Sequence, residues 1–317
     1  MVDSNNTPGM PRKLVALFAC TSGVSVANVY FAQPLLDSLA ADFGVSAAAI
    51  GGVVTATQAG VVVGLLLARV WSGVVADLVG WRGVYAGSAV VMTVLAALVW
   101  RQLPAQPVKS SGLSYLQLVR STLGLLATDR VLRVRGTLAL LMFAAFSIFW
   151  SALALPLTQA PLSLSHSAVG AFGLLGAVGA FFAGRAGRWA DRGWSQRTSA
   201  AALGLLLFAW LPLSFTEVSL WWLVVGILLL DVGCQALHVT NQALILRGPA
   251  ESYGRLVGCY MLFYAVGSGA GAIASTTVYA HAGWVGVCIL GASVSMLALV
   301  VWAVTATWPR LAVAPAS

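Results

Sequence analysis

Leu228-Leu229-Leu230-Asp231-Val232-Gly233-Cys234-Gln235-Ala236-Leu237-His238-Val239-Thr240-Asn241-Gln242 lies inside an apolar segment, Trp221 to Leu246, long enough to cross a bilayer. It nevertheless carries a carboxylate, two glutamines, a histidine and an asparagine, groups that are costly in hydrocarbon. On a helix Asp231, Gln235, His238 and Gln242 fall at i, i+4, i+7 and i+11, so they share one face while leucines and valines cover the other. Such a stripe requires water, a solute or a partner helix. One reading is that it only hydrogen-bonds neighbouring helices. The sharper expectation is that it lines a central cavity, with Asp231 as a titratable group on a path through the membrane.

The whole composition agrees with a membrane setting. Hydrophobic residues make up 60% of the chain and charged residues 8%, with a mean hydropathy of +0.91, whereas a soluble domain has about 25% charged residues. Several apolar runs of helical length point to a helical bundle rather than a barrel of short alternating strands. Net charge is +8, but the cations cluster between apolar segments and no aromatic-interleaved basic patch exists, so they read as topology signals and nucleic acid is not an expected partner. Cys20, Cys234, Cys259 and Cys288 fall within expected spans without CxxC spacing, which predicts packing residues and neither disulfides nor a metal site. No cofactor is expected. The polar stretch Met1–Lys13 leads into an apolar segment without a small-residue cleavage site, which reads as a retained first span rather than a signal peptide.

Taken in order, Leu14 to Leu36 forms the first span, with Arg12 and Lys13 before it and Asp37 and Asp42 after it, placing its start in the cytoplasm. Asn28, Tyr30 and Gln33 lie towards its end, where Asn28 and Gln33 are either helix-end hydrogen bonders or part of a cavity wall. Ala47 to Val79 is apolar for more than thirty residues, with Arg69 inside it. That exceeds the roughly twenty residues one span needs, and its two parts read as the start of one span joined to the end of another. Trp81 to Trp100 is an ordinary span. Arg101 to Arg135 is a linker with six cations against Asp129 alone, expected in the cytoplasm. Six regular spans follow: Gly136–Thr158, Ser167–Gly184, Thr198–Phe215, Leu220–Leu246, Leu256–Ala280 and Trp284–Trp308. Basic residues mark alternate connections. Gly267-Ser268-Gly269-Ala270-Gly271 is a small-residue run suited to close helix packing.

The connection Gly187-Arg188-Trp189-Ala190-Asp191-Arg192-Gly193-Trp194-Ser195-Gln196-Arg197 resembles the Gly-x-Leu-Ala-Asp-Arg-x-Gly-Arg signature of the major facilitator superfamily, in its second-half copy. Physically, Gly187 permits close helix approach, Asp191 can sit at a helix end, and Arg192 and Arg197 can pair with it, forming a conformational latch. The alternative is a charged cytoplasmic turn. Three more stretches, Asn28 to Leu36, Leu67 to Gly73, and Leu230 to Gln235 with Asn241-Gln242, look like the first, fifth and tenth spans of the bacterial drug–proton antiporter and arabinose-efflux-like branch. The resemblance covers almost the whole chain and implies an all-α membrane bundle. Its two halves would rock around a midplane cavity, exporting small organic molecules against protons. Asp231, a carboxylate desolvated among apolar side chains, is the expected proton site, and Asn28, Tyr30, Gln33, Arg69, Gln235, His238, Asn241 and Gln242 are the candidate substrate contacts. A small-molecule substrate, protons and the lipid bilayer are the expected partners, a monomer the expected state, and the inner (plasma) membrane the expected location, with multiple passes.

The chain departs from that family in its first half, which supplies a first span, the start of a second, the end of a fifth and a whole sixth. The expected organisation is therefore a shortened N-terminal bundle over 1–100, a basic cytoplasmic linker over 101–135 and a complete six-helix bundle over 136–317. Threaded from a cytoplasmic start, this order would leave the cationic linker outside. A re-entrant hairpin within residues 47–79, an external N-terminus or a mis-sided linker would each resolve the parity, and the first two displace fewer cations. Transport impaired by the missing spans is one expectation. A non-transporting remnant or a small-molecule sensor is the alternative. An enzyme is disfavoured, because His166, His238 and His281 lie on separate segments and only one carboxylate is deep in a span.

Overall fold

The computed structural model describes residues 47–102, 120, 124–176, 185, 188–189, 192–246 and 253–306, with side chains from Val70 onward. The chain divides into two compact units, Met1–Val63 and Gly64–Ser317. Within the first, residues 47–63 are helical. All described elements are helices or turns. The main ones are α1 (Ala47–Gln102), α2 (Arg130–Ala152), α3 (Ala154–Thr158), α4 (His166–Ala171, continued by a 3-10 turn Phe172–Leu175), α5 (Ser195–Ser214), α6 (Leu220–Ile245) and α7 (Tyr253–Ala306).

Helix α1 corrects one expectation. Its backbone is helical from Ala47 to Gln102 apart from Gly80, at φ 74° and ψ 175°. No re-entrant hairpin therefore interrupts residues 47–79. The chain breaks instead at Gly80, where the absence of a Cβ makes a positive φ inexpensive. A Cβ placed on Gly87 would sit 3.1 Å from the Trp71 indole, so the two limbs on either side of Gly80 lie against one another. Among the described residues few other neighbours cover them. Leu78, Trp81, Tyr85, Val90, Val91 and Trp100 are all exposed, and none of the most apolar window of the Val70–Leu98 span is buried, against 56% for Arg130–Thr158.

The second half is the packed part of unit two. Four further helices there are long and apolar enough to cross a bilayer: Arg130–Thr158, Ser195–Ser214, Leu220–Ile245 and Tyr253–Ala306, with His166–Leu175 a shorter apolar helix. The helix begins at Arg130 rather than Gly136, because Asp129 caps it by accepting from the Leu132 amide at 2.8 Å. Helix α7 joins the fifth and sixth expected spans through a break at Gly283 (φ 60°, ψ −159°), where the reading of the sequence separates them. The small-residue run does the packing expected of it. A Cβ on Gly267 would lie 2.1 Å from the Leu140 carbonyl oxygen and one on Gly271 2.4 Å from that of Ala144, so α7 and α2 touch backbone to backbone. Helices α5 and α6 meet similarly at Gly233, 2.8 Å from the Ala202 carbonyl oxygen by the same measure.

Two indoles pin these helices. Trp210 on α5 donates to Ser295 Oγ on α7 at 3.0 Å. Trp284 donates to the Leu213 carbonyl at 2.7 Å, at the end of α5 where Pro212 interrupts the regular helix ladder.

Candidate functional site

Helix α6 is enclosed over most of its length. Trp221, Trp222 and Val225 are exposed near its start, but every residue from Gly226 to Leu246 is buried or half-buried. One stripe, Leu223, Ile227, Leu230, Cys234, Leu237 and Asn241, is buried completely or nearly so. Helical spacing therefore sets the polar stripe Asp231, Gln235, His238 and Gln242 beside it on the inner side of the bundle. Asp231 is only 4% exposed. A Cβ on Gly176, the residue closing the α4 segment, would lie 3.3 Å from Asp231 Oδ2, so the carboxylate faces that short helix and not lipid. Gln235, His238 and Gln242 are half-buried.

His238 ties three helices together. Its Nδ1 is 3.0 Å from the Tyr260 hydroxyl on α7, and its ring meets Phe143 of α2 edge-on with centroids 5.3 Å apart. Phe143 in turn meets Tyr264 of α7 at 4.3 Å. The result is a packed aromatic cluster with one hydrogen-bonding edge.

Asn241 is fully buried and its Oδ1 accepts from Arg135 Nη1 at 3.5 Å, while the same Arg135 nitrogen donates to Ser199 Oγ at 2.9 Å. Arg135, the last cation assigned to the linker, is 5% exposed inside the bundle. Its long apolar stem and planar head reach from α2 to both α5 and α6.

Of the remaining expected site residues, Asn28, Tyr30, Gln33, Gly187 and Asp191 lie outside the described residues, and Arg69 is described only as part of the α1 backbone. Arg192 and Arg197 are exposed. Between them Gly193 takes φ +82°, and Trp194 N donates to the Trp189 carbonyl at 3.0 Å, a helix-ending reversal that leads into α5.

Two features escaped sequence reasoning. One is Arg135. The other is Asp77, whose Oδ1 accepts from the His166 amide at 3.0 Å and whose Oδ2 accepts from the Ser167 amide at 2.8 Å. The lone acid in an apolar run, three residues before Gly80-Trp81, was the available signal. Beside this junction a cavity of about 370 Å³ is lined by Trp81, Tyr85, Trp150 and His166 among others, and Asp231 takes no part in it.

Comparison with known proteins agrees with this architecture. The Major Facilitator Superfamily profile matches residues 136–314, more than half of the chain. The chain is similar to the uncharacterized transporter YgaY of Escherichia coli (strain K12), with 32% identity over 373 residues, covering 91% of this chain and 94% of that protein. Its counterpart in Escherichia coli O157:H7 matches to the same extent. A Streptomyces coelicolor protein described as "Probable transporter SCO4007" is 29% identical over 265 residues, covering 81% of this chain and 59% of its own length. An all-helical set of apolar spans, a buried polar stripe turned inward and these matches converge: the chain is a multi-pass membrane protein that belongs to the Major Facilitator Superfamily of transporters.

Proposed function

We propose that this chain is a secondary carrier of the drug–proton antiporter and arabinose-efflux-like branch, exporting small organic molecules across the inner membrane by alternating access. The observation that carries the reading is Asp231, a carboxylate 4% exposed in the middle of an apolar span and turned into the bundle. A buried acid in a bilayer is costly, and a carrier offsets that cost by using the group to load and release a proton as the bundle rocks. In the present conformation the carboxylate is closed off, so the reading requires the opposite conformation to open it.

Gln235, His238 and Gln242 are the proposed substrate contacts from α6, with Asn241 holding the stripe to Arg135. Asn28, Tyr30, Gln33 and Arg69 are the proposed contacts from the first half, and Gly187, Asp191, Arg192 and Arg197 the proposed conformational latch. No substrate follows from these residues beyond a small organic molecule with an apolar or planar portion and a polar group. The aromatic cluster around His238 supports that class. The acting unit is proposed to be a monomer.

The test is proton-gradient-driven flux in proteoliposomes, screening aromatic and cationic dyes. Asp231→Asn keeps the shape and removes the titrating group, and is expected to lower coupled flux at least about tenfold. Equal rates in the two proteins would remove the proton site.

A second reading has its own support. The match to YgaY runs over 373 aligned positions, more than the 317 residues of this chain, so part of the relative stands opposite gaps. That favours an internally shortened first half, with impaired transport or none. The absence of gradient-driven flux from the unaltered chain, with the protein folded, would decide for this remnant.

A further inference from the structure

The end of the first limb of α1 is held to the start of α4 through the carboxylate of Asp77. Asp77 Oδ1 accepts from the His166 amide at 3.0 Å and lies 3.0 Å from His166 Nδ1. Its Oδ2 accepts from the Ser167 amide at 2.8 Å and from the Ser167 hydroxyl. The carboxylate thus takes up two amides of the α4 N-terminus, which have no partner within the helix and carry the positive end of its dipole. The backbones also close up, since a Cβ on Gly73 would sit 2.5 Å from the His166 carbonyl oxygen. Both the Gly80 break and the connection before His166 lie at the ends of their helices opposite the cationic segments around Arg101 and Arg130. By the positive-inside rule the junction is therefore on the outer side of the membrane. Asp77 and His166 are partly accessible there, with side-chain exposures of 28% and 66%.

At its other end the same short helix presents Gly176 to Asp231. We propose that Asp77 is an outer-gate latch: by capping α4 it holds the first-half helix against the second half, and α4 links that latch to the buried acid. This rests on the alternating-access reading and adds a positioning residue to it. When the latch is made, α4 cannot swing away from α1, and the path to Asp231 from the outer side stays shut. When it is broken, three hydrogen bonds of one carboxylate and its contact with the His166 ring are lost together, giving the two-state behaviour a gate needs.

Hydrogen exchange on the full chain in lipid nanodiscs tests this without a substrate. In Asp77→Asn, amides over residues 163–172 are expected to exchange about tenfold faster, the scale of a lost charge-assisted bond. Amides over the cationic connection, residues 188–197, are expected to slow at the same time, because opening one side of a rocking bundle closes the other. A rise confined to residues 165–168, or no change, would overturn the latch and leave Asp77 a simple helix cap. Ser167→Ala, which removes one donor and spares both amides, should give a smaller shift of the same kind, and it decides the matter if Asp77→Asn fails to fold. Asp231→Asn measured in parallel separates the two claims. A reciprocal shift there but not in Asp77→Asn sinks the latch alone, and none in either variant sinks the carrier with it.

Discussion

Asp231 and His238 show how far single residues could be read. Each is polar in an apolar span, so each was legible as a site candidate from spacing alone, and the structure turns both into the bundle. Arg135 and Asp77 were not legible, because what defines them is a partner remote in the chain: Ser199 lies 64 positions from Arg135, and His166 89 positions from Asp77. A cation at the edge of a basic linker looks like a topology signal until the fold brings it beneath α5 and α6. Replacing Arg135 by Met keeps much of the apolar stem but leaves Asn241 and Ser199 without its donor. The expected cost is about 1–3 kcal/mol, the penalty for buried polar groups that lose a partner, read as a lower midpoint of thermal unfolding in detergent. Arg135→Lys should recover only part of that loss, since the shorter side chain does not carry its ammonium to the position that Nη1 holds at the end of the planar guanidinium. An unchanged midpoint in the Met variant would place the residue outside the packing network.

Elements were legible to the extent that each helix announces its own limits. Asp129, Ser165 and Ser219 cap the helices that follow them, and the glycines at 80 and 283 break the two longest ones. Both breaks open the same pattern, Gly80-Trp81-Arg82-Gly83-Val84 and Gly283-Trp284-Val285-Gly286-Val287. The two tryptophans nonetheless differ: Trp284 is 3% exposed and bonded to α5, whereas Trp81 is 53% exposed. Local sequence made the turn, and only the presence of α5 buried the indole. The α2–α7 contact belongs to this scale as well. Gly271→Val would drive a branched side chain into the Ala144 carbonyl across a backbone-to-backbone seam that neither helix can easily open. Overpacking of this kind costs about 1–3 kcal/mol, and in a membrane it removes the close van der Waals approach that holds helices together. Thermal unfolding in detergent should show the drop, while Gly269→Val, where open space surrounds the glycine, should leave the midpoint close to the starting value.

At the scale of the whole molecule the two parts of the chain behave differently. Helix α1 runs unbroken to Gly80 and back to Gln102, so an odd crossing cannot hide in a hairpin between residues 47 and 79. With that hairpin gone, a cytoplasmic linker with the Gly80 break on the outer side requires the start of the chain to lie outside, and the six cations of the linker favour that threading over a mis-sided linker. A reporter fused after Lys109 should therefore be active in its cytoplasmic form, and a reporter active only outside would reverse the threading of α1. Membrane class and the polar stripe along one face of a helix needed nothing beyond composition and a period of 3.6 residues, because a helix satisfies its own backbone groups in lipid and an acid is tolerated only on a sheltered face. Which face is sheltered, which cation is buried and which carboxylate holds two distant helices together were settled by the packing. Contacts between residues many positions apart depend on how helices are set side by side, and no local pattern records that arrangement.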